Sequence, residues 1–133
     1  GAPRGGDDGE IAYIAYWYPQ FAVYDDVARR WQTDPYMGTA EFYMGYGDYD
    51  VSITVPEGWL VAATGELTNA ADVLSAQTRA RLDTARRSRS ITHVVAEGDR
   101  GAAKATTRGR DGKLTWRFRA TNVRDFAFGT SDK

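Results

Sequence analysis

EFYMGYGDYDVSITVP, Glu41–Pro56, is the stretch that decides the fold class. Ahead of Gly47, Phe42, Met44 and Tyr46 alternate with Glu41, Tyr43 and Gly45; after it, Tyr49, Val51, Ile53 and Val55 alternate with Asp48, Asp50, Ser52 and Thr54. A period of two places successive side chains on opposite faces, so the stretch predicts two half-buried strands, or one long strand bent at Gly45–Gly47. Pro56-Glu57-Gly58 is a turn signal, and Trp59–Ala63 reads as a further short strand.

The same period returns near the end of the chain. In Leu114–Ala120 the residues Leu114, Trp116, Phe118 and Ala120 take the inward positions and Thr115, Arg117 and Arg119 the outward ones, just after a turn at Asp111-Gly112. Phe126–Phe128 predicts another strand. Towards the start, Ile11–Tyr18 is apolar or aromatic on both parities, as in a strand covered on both faces, and Pro19 ends it. Ile91, His93 and Val95 share one parity and predict a short strand with His93 partly buried between its neighbours.

Between these strands the period changes once. From Asp72 to Arg87 the residues Leu74, Thr78, Arg81, Leu82 and Ala85 recur at helical spacing with no Gly or Pro. Asn69 or Asp72 is placed to cap the start, and Arg86, Arg87 and Arg89 complement the dipole at the end. The apolar stripe is narrow, so the helix is expected on the surface. Residues 1–10 are glycine-rich and charged and predict a flexible leader, with the domain running from 11 to 133. Asp25–Thr39 reads as a long surface connection pinned by Trp31 and Tyr36. Many short strands and one helix predict an all-β fold, an antiparallel β-sandwich with one inserted surface α-helix.

Composition narrows the partners. A formal net charge of -1 over 133 residues gives no global attraction to nucleic acid. The absence of cysteine removes disulfides and thiolate metal sites, and no apolar run is long enough to span a membrane. The compartment is not legible.

Few residues recommend chemistry. One histidine, His93, cannot form a paired-histidine zinc site. Asp25/Asp26 and Asp48/Asp50 read as solvated turn and edge carboxylates, since no loop dense in acids accompanies them, and nothing supports an Asp25/Glu41 dyad. The helix arginines read as a solvated face. The aromatic run from Tyr13 to Tyr49 could stack on sugars or bases, but half of it falls on inward positions and reads as core plus interface.

Taken in order, WYPQFAVYDD at Trp17–Asp26, Glu41–Pro56, VAATGEL at Val61–Leu67 and LTWRFRATNVRDFAF at Leu114–Phe128 resemble the non-catalytic β domain that precedes the catalytic domain in bacterial zinc metallopeptidases of the aminopeptidase N family. The likeness runs from about Ile11 to the end. It implies a piece of a longer metallopeptidase, without the first strands of its domain. The piece would hold no catalytic residue and no metal of its own, and zinc would belong to the parent's catalytic domain. Its partners would be that domain and the peptide substrate, of whose cleft it would form one wall. An exported parent would carry its address outside this stretch. Relatives typically place a glutamine for the substrate's amino end just before W-Y-P; here Tyr16 stands in that place, making it the substrate-binding residue the resemblance implies. Missing strands and an open end at Phe126–Lys133 also predict self-association, because unpaired edges find partners.

Overall fold

The structure, a computed structural model, describes residues 4–9, 11–35, 43–99 and 104–132. The fold is β-rich and antiparallel with one main helix, as the alternation predicts. Its strands are β1 (Arg4–Asp7), β2 (Ile11–Ala15), β3 (Tyr24–Asp25), β4 (Arg30–Trp31), β5 (Gly47–Pro56), β6 (Leu60–Ala63), β7 (Glu66–Leu67), β8 (Lys113–Val123) and β9 (Phe128–Ser131), with α1 (Ala70–Val73) and α2 (Ala76–Arg87) between β7 and β8. One sheet has the order β1-β2-β9-β6, a second the order β5-β8-β7, and β3-β4 is a separate hairpin.

The core sits where the two larger sheets and the helices meet. From β8 come Leu114, Trp116, Phe118 and Ala120, all buried, on the face that the sequence assigned to them. Val55 of β5, Val61 of β6, Val73 and Leu74 join them, and Phe126, fully buried just before β9, closes the cluster. β5 keeps strict alternation along its length and pairs with β8 from Pro56↔Lys113 to Tyr49↔Ala120, with a register irregularity between Gly47 and Tyr49. Gly65 carries a φ of +88°, and a Cβ there would meet the Arg119 carbonyl oxygen, so the sharp entry into β7 needs a residue without one.

Four expectations change. The glycine-rich leader contains β1, paired with β2 from Arg4↔Ala15 to Asp7↔Ala12. Its turn is built on Asp7 and Asp8, whose carboxylates accept from the amides of Gly9 and Ile11 at 2.7 Å each, while Gly9 supplies a φ of +85°. Asp8-Gly9 is a hairpin signal that the surrounding glycines obscured.

The predicted strand Ile11–Tyr18 stops at Ala15. Tyr16 takes a left-handed φ of 53°, which breaks the alternation, and Ile11, Tyr13 and Ile14 are exposed although β2 is paired on both edges. Backbone pairing and face coverage are separate conditions, and only the first is met here.

The helix is broken. Leu74 is extended, and α2 is capped by Ser75, whose hydroxyl accepts from the Thr78 amide, rather than by Asn69 or Asp72. Successive side chains on a continuous helix diverge by about 100°; the break lets Val73 and Leu74 both enter the core. The Asn69 side chain instead extends the edge of β8, donating to Thr115 O and accepting from Arg117 N, both at 2.9 Å. α2 itself is peripheral, as expected, with Thr78 its one buried residue.

Ile91, His93 and Val95 form no strand. Ile91 is 97% exposed and His93 is exposed, so the histidine is not the partly buried residue predicted. An alternating pattern also needs an edge to pair with, and this segment takes none among the described residues. Phe42, Glu41 and Tyr36 lie outside the described residues.

Candidate functional site

A cluster of polar groups linked by hydrogen bonds forms where the chain leaves β2. The Tyr16 amide points to Asp125 Oδ2 at 3.4 Å, and the Trp17 indole donates to the Phe126 carbonyl at 3.0 Å. Tyr18 Oη lies 2.8 Å from Tyr49 Oη and 2.8 Å from Asp125 Oδ1, and it accepts from Gln20 Nε2 at 2.6 Å and from the Phe126 amide at 3.3 Å. A carboxylate can only accept, so the Tyr18 proton is directed to Asp125. This one hydroxyl ties together the exit of β2, strand β5 and the entry to β9.

Burial, with the hydrogen bonds to Tyr49 and Asp125, pushes the Tyr18 phenol far above its ordinary range. It stays neutral throughout the physiological range and has no use as a base there. The rings around it meet edge to face: Tyr18 with Trp17 at 5.2 Å and with Tyr49 at 5.5 Å.

Beside this network opens a cleft of about 480 Å³. Tyr18 and Tyr49 form its floor and Phe21, Tyr24 and Tyr46 its mouth, with Gln20 and Asp48 as polar groups. Phe21 is 95% exposed. The Arg124 guanidinium stacks over the Tyr46 ring at 5.0 Å. Tyr24 meets Trp31 across the β3–β4 hairpin with centroids 5.4 Å apart and planes at 74°. That hairpin turns on Asp25, which accepts from Ala28 N, Val27 N and Gln32 Nε2. The Ala28 amide first, then the Gln32 side chain, holds the Asp25 carboxyl below its usual range.

A second cleft, of about 550 Å³, runs between α2 and the sheets and is apolar, lined by Leu60, Leu74, Leu82, Val94, Val95 and Trp116. The Trp116 indole N–H is buried without a hydrogen-bond partner among the described residues.

Tyr16, the residue that the resemblance singles out, does not line the tyrosine cleft; the lining starts two residues later, at Tyr18. Asp48 and Asp50 share the exposed face of β5 as predicted. Asp48 accepts from the Asn122 amide at 2.8 Å and Asp50 pairs with Arg119 at 2.9 Å. Asp25 and Asp48 are both tied into turn or strand-end hydrogen bonds, and Glu41 lies outside the described residues. No group of three or more His, Asp or Glu converges among the described residues, and no helix is long and apolar enough to cross a membrane. Sequence reasoning missed Tyr18, Gln20 and Asp125. Asp125 is over a hundred residues from Tyr18, and no spacing rule links them.

Comparison with family models, with curated proteins and with solved structures gives no match for this chain.

Proposed function

We propose that this chain is a non-catalytic scaffold domain, of the kind that precedes the catalytic domain in aminopeptidase-N-like zinc metallopeptidases, and that its aromatic surface is one wall of a peptide cleft. The observation that carries the reading is the concentration of exposed large side chains between Ile11 and Trp31: Tyr13, Trp17, Phe21, Tyr24 and Val27 all stand open, and Phe21 and Tyr24 line the cleft together with the neutral phenol of Tyr18. A concentration of exposed apolar side chains in one segment supports a face that meets a partner. The motif order from Trp17 to Phe128 supplies the identity of that partner, a catalytic domain in the same parent.

Tyr16 has a part in this reading as a contact to the substrate's amino end. Its φ of 53° turns the chain at the end of β2 and aims the residue independently of the strand's alternation. In the full-length parent, Tyr16→Gln should change the ratio of kcat/KM for free against N-acetylated peptides by the value of one hydrogen bond to a charged group, about 1.5–3 kcal/mol. An unchanged ratio removes Tyr16 from the site.

The alternative is an independent module that holds carbohydrate or a protein partner in the tyrosine cleft. Sugar platforms present flat ring faces, whereas Tyr24 and Trp31 meet at 74° and Trp17 and Tyr18 at 78°, which favours a protein face. The test is elemental analysis and an aminoacyl-anilide assay on this chain, with a glycan titration followed by tryptophan fluorescence. The scaffold reading expects no zinc, no hydrolysis and no glycan saturation. One tightly held zinc per chain would overturn it, and saturable glycan binding would establish the module instead.

A further inference from the structure

Among the described residues strand β5 is an edge of its sheet. Among the described residues β5 pairs with β8 alone, whereas the far side of β8 is closed by β7 and by the Asn69 amide. The inner face shows the same asymmetry. Trp116, Phe118 and Ala120 of β8 are buried, but their register partners Ile53, Val51 and Tyr49 remain partly exposed. These three pack against the core but keep part of their apolar surface exposed, which a further strand along this edge would cover.

The edge also lacks the usual protection. Natural edge strands are blunted by charged side chains, lysine above all, by proline, bulges or short length, and the one charge between Tyr49 and Val55, Asp50, is paired with Arg119 of its own chain. Here the irregularity at Gly47/Tyr49 and Pro56 fence the two ends, and between them the run Tyr49–Val55 has no lysine, no proline and no bulge. The irregularity lies in the pairing with β8, and the other edge of the run is unpaired among the described residues.

We propose that this edge pairs antiparallel with β5 of a second copy of the chain, in a two-fold ladder centred on Val51. The argument for a second copy is self-complementarity. Centring on Val51 sets Tyr49 against Ile53 on the inner face, so both copies continue the same apolar surface. On the outer face it sets Asp48 against Thr54 and Asp50 against Ser52, each carboxylate opposite a hydroxyl. Neighbouring registers are worse. Centring on Asp50 opposes two aspartates, centring on Tyr49 sets Asp48 against Asp50, and centring on Ser52 draws in Pro56, which has no N–H to give.

Two exposed substitutions read the register with opposite signs. Ser52→Asp would lie beside Arg117 within its own chain, since Ser52 and Arg117 are register partners, but across the interface it would face the partner copy's Asp50. Thr54→Lys would face Asp48 of the other copy. Each change occurs twice in a two-fold dimer, so Ser52→Asp should raise the dimer Kd by about tenfold and Thr54→Lys should lower it several-fold, both differences shrinking in high salt. Sedimentation equilibrium over a concentration series measures this, with far-UV circular dichroism confirming that both variants are folded. Opposite shifts in the two variants support the ladder. A chain that is strictly monomeric at high concentration, or a dimer with the same Kd in wild type and both variants, overturns it.

Discussion

Trp116 and Trp31 are the same residue in two different halves of the molecule. Trp116, in the β5–β8 half, is 2% exposed, while Trp31, in the aromatic half that runs from Ile11 to Trp31, is 57% exposed. Both halves are rich in large apolar side chains, so composition does not separate them. Length of uninterrupted strand does. β8 spans eleven residues and β5 ten, which lets four inward side chains of β8 layer against several from β5 and β6. In the aromatic half Tyr16 turns left-handed, Pro19 follows, and β3 and β4 have two residues each, so the rings meet in pairs rather than in a layer. The difference teaches that a repeated ladder carries several large side chains into one core layer, whereas outside a ladder burial is decided residue by residue: Phe126, in the loop before β9, is fully buried, and Trp31 is not.

The widest gap between the halves should appear in truncations. Trp116→Ala is expected to destabilise the chain by about 3–5 kcal/mol as a large-to-small core change. The figure sits at the lower end if the unpaired indole N–H is relieved by its removal. Denaturant melts measure it, and a near-neutral result would show that the β8 face is not the core.

Tyr18 stands between the halves, because its hydroxyl joins the β2 exit to β5 and to Asp125. Tyr18→Phe should destabilise by about 1–3 kcal/mol, since it leaves Asp125 and the Phe126 amide without their partner. The pH dependence follows from the sign of the shift. The folded phenol holds its proton more tightly than the unfolded one, whose value is about 10, so this contribution is complete below about pH 10 and falls as pH rises above it. Melts from neutral pH upward should show wild type losing stability faster than Tyr18→Phe in that window. Parallel curves would mean that the hydroxyl is not held as described.

The smallest effect should come from Trp31→Ala. It removes one edge-to-face contact with Tyr24 at an exposed position, and stability should change by less than about 1 kcal/mol. A loss comparable with Trp116→Ala would erase the distinction between the halves.

The expected weak end also moves. The open end of the fold was predicted at Phe126–Lys133, but β9 lies inside its sheet, paired with β2 on one side and β6 on the other. The free edge among the described long strands belongs to β5, the very strand whose pattern is clearest in the sequence. An alternating pattern reports which face of a strand is buried, because side-chain direction is local. It does not report whether the strand's backbone groups are paired on both sides, because neighbours in a sheet come from anywhere in the chain.

What the amino-acid sequence determined by itself was the β-rich class, the inward face of β5 and β8, the peripheral helix ending in arginines, and the absence of a paired-histidine zinc site from this chain. Each of these depends on periodicity or residue type within a short window. Tertiary structure decided the rest. It placed β1 against β2, broke the helix at Leu74 so that two successive side chains reach the core, left His93 in solvent, and brought Tyr49 and Asp125 each to 2.8 Å from the Tyr18 hydroxyl. The Tyr18–Asp125 contact is a long-range pairing that no local window contains, while the hairpin and the helix break lie within short windows but are decided by what packs against them.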